Sequence, residues 1–249
     1  MFFFKRSKVV VDAFISERYS HAYDYAPIDY AEKFMPDWWK KLPKTEIDFS
    51  IMNRKNESMK SCAGFLDHTN KGLIIPLWAD LMIKTDPPDL YSYQFADGLS
   101  ICESHPTHQR TGFQDHRINV KVISPWLLKS EKNVSFTFLP PFWNNDVPPG
   151  FDLAIGTSNF YYQNSTHFNL LFDMDKKVMI PFGKPMLHLM PLTERKIELR
   201  RHLVTEEQWH RENKRMISMS FNSAYYKLKK HREKMSEIPS KCPFGGLFK

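Results

Sequence analysis

From about residue 60 to residue 190, apolar positions recur at every second residue in short runs, and turn-forming residues separate the runs at roughly ten-residue intervals. His116 to Ile123 carries the pattern most cleanly, with Ile118, Val120 and Val122 on one face, and Val134 to Leu139 repeats it up to the breaker Pro140-Pro141. Beyond a second break at Pro148-Pro149-Gly150, strands are predicted at Phe151 to Ile155, Ser158 to Tyr162, His167 to Phe172, Val178 to Ile180 and Pro185 to Met190. Tyr91 to Phe95 also alternates, and Ala96-Asp97-Gly98 is a turn signal that predicts a hairpin with Leu99 to Glu103. Gly72 to Ile83 is a continuous apolar run in which Pro76 predicts a bulge or an edge. The opening FFFKRSKVVVDAF predicts one more strand within residues 1–16.

The period changes to that of a helix at Thr205, where Thr205-Glu206-Glu207-Gln208 is a capping box with two acids in its positive first turn. Trp209, Met216, Met219 and Tyr226 form a stripe, broadened by Ile217, Phe221, Tyr225 and Leu228, by which the helix should dock. A shorter helical pattern, IDYAEKF, follows Pro27 and ends at Pro36. No repeated alternation of strands with long helices suggests a doubly wound sheet. The expected fold is therefore mainly β: an antiparallel β-sandwich, or a jelly-roll or cupin-like barrel, over residues 1–204. Residues 205–249 add an amphipathic α-helix and a basic tail.

Composition narrows the class. The 249 residues are 42% hydrophobic, 25% charged and 14% aromatic, with 17 Pro and 9 Gly, which excludes a disordered, collagenous or low-complexity chain. Apolar runs fall far short of the roughly 20 residues of a bilayer span, and Lys5, Arg6 and Lys8 lie on the wrong side of Phe2-Phe3-Phe4 for a secretory signal, so no membrane association is expected. Cys62, Cys102 and Cys242 are odd in number and without a Cys-x-x-Cys pair, which suits reduced thiols in a cytoplasm. Residues 193–249 hold 14 Lys and Arg against seven acids, while the other 192 residues hold 21 of each sign, so the whole excess of +7 belongs to the C-terminal segment.

That segment is the first candidate for chemistry. Lys227, Lys229, Lys230, Arg232 and Lys234 stand beside Tyr225 and Tyr226 and could meet the phosphates of a nucleic acid, although cations at a helix C-terminus also favour the helix itself. The second candidate is Glu103-Ser104-His105-Pro106-Thr107-His108: on a strand Glu103 and His105 share a face, and His108 could close a metal triad with His167 or His188. One carboxylate and two imidazoles with open positions would suit non-haem iron, the single cofactor that any part of the chain suggests. Trp38-Trp39 beside Lys40-Lys41 could stack on a base or a sugar, but a pair of Trp more often seals the rim of a core. The nucleophile elbow, the dinucleotide fingerprint and the phosphate-binding loop all lack their glycines, which argues against hydrolases of that type and against common ATP and NAD enzymes.

Two resemblances add to this. Ile180-Pro181-Phe182-Gly183-Lys184-Pro185-Met186-Leu187-His188 resembles the Pro-x-Gly turn and downstream His of the second cupin motif, although the His comes later than the cupin spacing; a tight turn between two strands explains the same prolines and glycine. Over residues 1–200, FFFKRSK, Asp29-Tyr30-Ala31, Pro36-Asp37-Trp38-Trp39-Lys40-Lys41-Leu42-Pro43, Ser61-Cys62-Ala63-Gly64-Phe65, Ile75-Pro76-Leu77-Trp78-Ala79-Asp80, Ser124-Pro125-Trp126 and Ile180-Pro181-Phe182-Gly183-Lys184-Pro185 together resemble an uncharacterised protein family of T4-like phages of marine cyanobacteria, with scattered bacterial relatives. The resemblance implies a viral protein made in the host cytoplasm and assigns no residue a role. The expected function is a non-enzymatic phage accessory or virion-associated protein that binds protein or nucleic acid through its basic C-terminal segment. The alternative is a cupin-type, 2-oxoglutarate-like iron oxygenase using Glu103, His105, His108 and His188.

Overall fold

A computed structural model describes residues 8–48, 54–86, 90–105, 112, 117–144, 150–214, 230 and 234. Strand β1 (Val9–Ser16) is followed by a 3-10 turn and helix α1 (Ser20–Tyr25), then by β2 (Asp29–Tyr30), a second 3-10 turn (Ala31–Phe34) and α2 (Asp37–Lys41). Next come β3 (Thr45–Asp48), β4 (Arg54–Glu57), α3 (Ala63–Thr69), β5 (Leu73–Pro76), β6 (Leu81–Asp86), β7 (Leu90–Phe95) and β8 (Cys102–Ser104). The chain continues through β9 (Arg117–Ser130), β10 (Ser135–Leu139), β11 (Phe151–Leu153), β12 (Gly156–Asn159), β13 (Ser165–Asp173), β14 (Lys177–Ile180), β15 (Pro185–Pro191), β16 (Ile197–Val204) and α4 (Glu206–Lys214). The fold is mainly β with a C-terminal helix. Among the described residues, no helix is long and apolar enough to cross a membrane.

Two sheets dominate. Sheet A runs β11-β13-β9-β1-β16, with β8 on β9, and sheet B runs β12-β10-β15-β5-β2. Because β13 takes one edge of the long β9, the other edge is shared: β8 pairs with Val120 to Val122 and β1 with Leu127 to Ser130. The alternation places Val9, Val11, Ala13, Ile15, Ile118, Val120, Val122, Phe168, Leu170 and Phe172 of sheet A in one core with Leu73, Ile75, Phe136, Leu187 and Leu189 of sheet B, so the sheets pack as a sandwich. Trp78 and Trp126 are the largest side chains fully enclosed there. On the far side of sheet B a second cluster joins Ile74, Ala31, Met35, Trp39 and Trp143 to Phe65 and Leu66 of α3. Trp39, only 9% exposed, packs at a tilt against Phe65 with ring centroids 4.8 Å apart, the rim-sealing role expected of the Trp pair, whereas Trp38 is 37% exposed.

Several elements differ from the sequence expectation. The Gly72 to Ile83 run is two strands, because Leu77 donates its N–H to Lys184 O and accepts from Gly183 N, pinning the link to the turn at Pro181 to Lys184. Gly183 takes φ +76 in that turn, so the prolines and glycine there serve the corner. The Tyr91 to Glu103 hairpin does not form: β7 pairs with β6, whereas β8 pairs with β9. The Asp97 carboxylate accepts from Leu99 N, Ser100 N and Ser100 Oγ, and that local turn redirects the chain from a three-stranded sheet, β14-β6-β7, to sheet A. In place of the IDYAEKF helix there is β2 followed by a 3-10 turn. Strand β16 is not among the predicted strands, and it pairs in parallel with β1 within otherwise antiparallel sheets.

The capping box is formed as expected. Gln208 N donates to Thr205 Oγ1 at 3.3 Å, and Thr205 N to Gln208 Oε1 at 3.1 Å. Helix α4 docks through Trp209, whose Nε1 donates to Pro125 O at 2.9 Å, and through Asn164 Nδ2, which donates to Glu212 O at 2.8 Å. The remainder of the predicted stripe, from Met216 to Leu228, lies outside the described residues, as do Lys227, Lys229, Arg232, His108 and Cys242.

Candidate ligand-binding site

The outer face of sheet A carries a line of polar side chains fixed by strand register. Glu103 of β8 lies opposite Lys121 of β9, and Lys121 lies opposite Asn169 of β13; two residues along, Ile123 faces His167. Apart from Ile123, each of these is the polar alternate of an inward neighbour, which is how a half-buried strand with period two disposes its residues. The register between Ser165 and His167 is bulged, which re-aims the start of β13. Just before it, a turn held by Asn159, whose Oδ1 accepts from Tyr161 N and whose carbonyl accepts from Tyr162 N and Gln163 N, brings Gln163 and Asn164 to the same face.

Glu103, Lys121, Ile123, Gln163, Asn164 and His167 line a partly open cavity of about 180 Å³, with Asn213 of α4 at its edge. Lys121, whose side chain is 18% exposed, donates to Glu103 Oε2 at 2.8 Å. His105 Nε2 lies 3.1 Å from Asn169 Oδ1, an acceptor, so that nitrogen carries the ring proton in the pair. Burial first, and the positive charge of Lys121 second, push the His167 imidazole down to about 4, so the ring is neutral at pH 7. Asn164 is 8% exposed; its Nδ2 is committed to Glu212 O, and its Oδ1 is buried without a hydrogen-bond partner among the described residues. Asn119 Oδ1, on the same face of β9, is likewise unmet. Leaving a buried acceptor unpaired costs about 1–3 kcal/mol, and since neither oxygen is open to the cavity that cost is borne within the fold.

Of the predicted iron ligands, His108 lies outside the described residues, and His188 is separated from Glu103 and His105. His188 lies opposite Ile74 in the β15–β5 register, and Ile74 belongs to the second cluster, so His188 faces the outer side of sheet B while Leu187 and Leu189 face the core. Glu103 and His105 are on sheet A, across the sandwich from it. Among the described residues no three His, Cys, Asp or Glu side chains group closely enough to hold a metal ion. His188 instead donates from Nε2 to Lys71 O at 2.7 Å, within an aromatic nest in which its ring centroid lies 5.0 Å from Trp143 and 5.2 Å from His68. The Lys71 carbonyl reaches it because the next residue is Gly72, at φ +86, where a Cβ would stand 2.3 Å from Leu189 O.

The sequence singled out Glu103, His105 and His167 of this face, but missed Lys121, Asn169, Asn119 and Asn164. Lys121 and Asn119 are the polar alternates of the cleanest strand in the chain, and that was the signal available for them. Cys102, on the inward side of β8, is buried, and burial pushes its thiol up to about 12, which leaves no nucleophilic thiolate at pH 7. Comparison of the chain with protein-family models, curated proteins and solved structures finds no match. The chemistry of the site must therefore speak for itself.

Proposed function

We propose that the chain is a non-catalytic binding protein, of the phage accessory or virion-associated kind that the family resemblance implies, and that it takes its ligand in the cavity on the outer face of sheet A. The observation that carries this reading is the cavity itself, onto which strand register turns Glu103, Lys121 and the neutral His167 imidazole. Around it the charged and titratable groups are tied to one another, Lys121 to Glu103 and His105 to Asn169, which is an arrangement for holding a molecule rather than moving protons through it. The test is an NMR screen of the full chain against a chemically mixed set of small polar molecules. Hits should perturb the signals of Lys121, Asn164 and His167, and Asn164→Ala should weaken them; a screen whose hits all fall elsewhere, or that has none, refutes the reading.

A second surface is favoured by its own observation. Lys230 and Lys234 are both helical and exposed, four positions apart in the sequence. Together with Lys227, Lys229 and Arg232 in the same stretch of sequence they could contact a nucleic-acid backbone. Replacing the five with Gln should then flatten the salt dependence of DNA binding by about 0.9 in log–log slope for each phosphate that is no longer neutralised. Equal affinity and equal slope in parent and variant would remove this surface from consideration.

A further inference from the structure

Resting on the cavity as the binding site, we infer that its ligand is a neutral polyhydroxylated ring, a saccharide unit, rather than a phosphate-bearing molecule. Size comes first. A cavity of about 180 Å³ lies below the roughly 300–1,000 Å³ of sites that enclose drug-sized ligands, and it suits one ring with its substituents.

Charge decides against an anion. Among the described lining residues Lys121 is the sole lysine or arginine, and its ammonium is already held by Glu103 at 2.8 Å. A phosphate entering the cavity would have to displace Glu103 from Lys121 and would then meet the freed carboxylate, a like-charge contact. The neutral His167 ring supplies no second cation.

Hydrogen-bonding capacity decides for hydroxyls. A sugar hydroxyl donates one bond and accepts up to two, so a ring bearing several needs donors and acceptors side by side. The cavity offers both: Glu103 is an acceptor, Lys121 is a donor, and the neutral His167 imidazole has one of each. Ser165, which also lines it, carries a hydroxyl of its own, whereas the buried Thr166 donates its hydroxyl to Trp126 O.

The experiment uses the full chain and two sets of probes. One set is unmodified monosaccharides (hexoses, a pentose, a deoxyhexose and an N-acetylhexosamine) at millimolar concentration; the other is AMP and inorganic phosphate. Binding is followed by saturation-transfer NMR and by the amide signals of Lys121, Asn164 and His167, with Glu103→Gln as the variant. Glu103 is exposed and the exchange keeps its shape, so the sandwich should be unaffected. At least one monosaccharide should bind at the cavity, with little dependence on salt, and Glu103→Gln should weaken it roughly tenfold by removing a charge-assisted acceptor. For an anion the same variant acts in the opposite direction, because it frees Lys121. If AMP or phosphate binds, the monosaccharides do not, and Glu103→Gln tightens the anion, the saccharide inference is overturned while the cavity remains the binding site. If neither set perturbs the cavity signals, the saccharide inference is overturned; if the mixed screen described above also leaves those signals unmoved, the cavity falls with it.

Discussion

Acidification should unfold this protein in part through one residue, His188. Its side chain is fully buried, and the desolvation of the charged form pushes its pKa down to about 4, with only the Lys71 carbonyl opposing that shift. In the unfolded chain the imidazole returns to about 6.5. Between those values the unfolded state takes up a proton that the folded state refuses. The contribution is therefore fully present above about pH 6.5, declines as the pH falls toward 4, and changes no further below that. At pH 4.5 the difference amounts to about 2.5 kcal/mol from this group alone, against a total stability of about 5–15 kcal/mol for an ordinary domain.

The assay is urea unfolding of the parent and of His188→Gln at intervals from pH 7.5 to pH 4.5. Gln keeps a donor for the Lys71 carbonyl and cannot ionise. The variant will start lower at pH 7.5, since it leaves a hole in the nest formed by Trp143 and His68, so the informative quantity is the change with pH rather than the offset. Carboxylates titrate in both proteins and cancel in the comparison. Near pH 5 the parent should lose stability faster than the variant by about 1.4 kcal/mol per pH unit, the limit for one proton. Parallel curves for the two proteins would refute this account, because they would mean that His188 is protonated as easily in the fold as outside it.

Three further outcomes are expected. Gly72→Ala must adopt φ +86 and drive a Cβ to within 2.3 Å of Leu189 O, so it should destabilise by about 2–4 kcal/mol in urea unfolding; a loss under about 1 kcal/mol would contradict the close approach. Thr205→Ala removes one half of the reciprocal cap on α4 and should cost about 1 kcal/mol, seen as faster amide exchange across residues 206–214 with the sheets unaffected. His167→Gln should weaken whatever binds in the sheet A cavity and, because burial holds both imidazoles at about 4, should flatten the acid response about as much as His188→Gln does; unchanged binding in the variant would remove His167 from the site.

Much of the sandwich was legible because period two reports which side of a strand is buried whatever its partners are. Strands β9, β13 and β15 each have a mostly apolar inward row, interrupted only by Ser124, Ser130 and Thr166 among the buried polar residues, and each was predicted to within a few residues at one end or both. Strand β16 was not, because it lies at the edge of sheet A and its Arg200-Arg201 pair interrupts the alternation; charges on an edge strand also discourage pairing with another molecule. The Tyr91 to Glu103 hairpin fails for a different reason. Ala96-Asp97-Gly98 does mark a turn, but the Asp97 side chain bonds forward to Leu99 and Ser100, and Ser100 Oγ accepts from the buried Trp78 Nε1, a contact 22 residues distant that no local pattern encodes.

The same limit governed the candidate site. Alternation assigns a side chain to one side of its own strand, but it does not say to which sheet the strand belongs, so Glu103, His105, His167 and His188 looked equivalent as polar residues on β segments. Register separates them. Sheet B has its outer face covered by α2, α3 and their aromatic side chains, so a His turned outward at position 188 enters a dry environment and must find a backbone carbonyl. The outer face of sheet A between β8 and β13 is polar, with α4 at its margin, so a His turned outward at position 167 enters a cavity lined by amides, hydroxyls and an ion pair. Burial makes both rings neutral at pH 7, yet one has its donor committed within the fold and the other faces space for a ligand. A lowered imidazole pKa therefore marks enclosure in both places and function in neither by itself. What separates a structural histidine from a binding one here is the register that chooses the face and the layer, helix or cavity, that meets it.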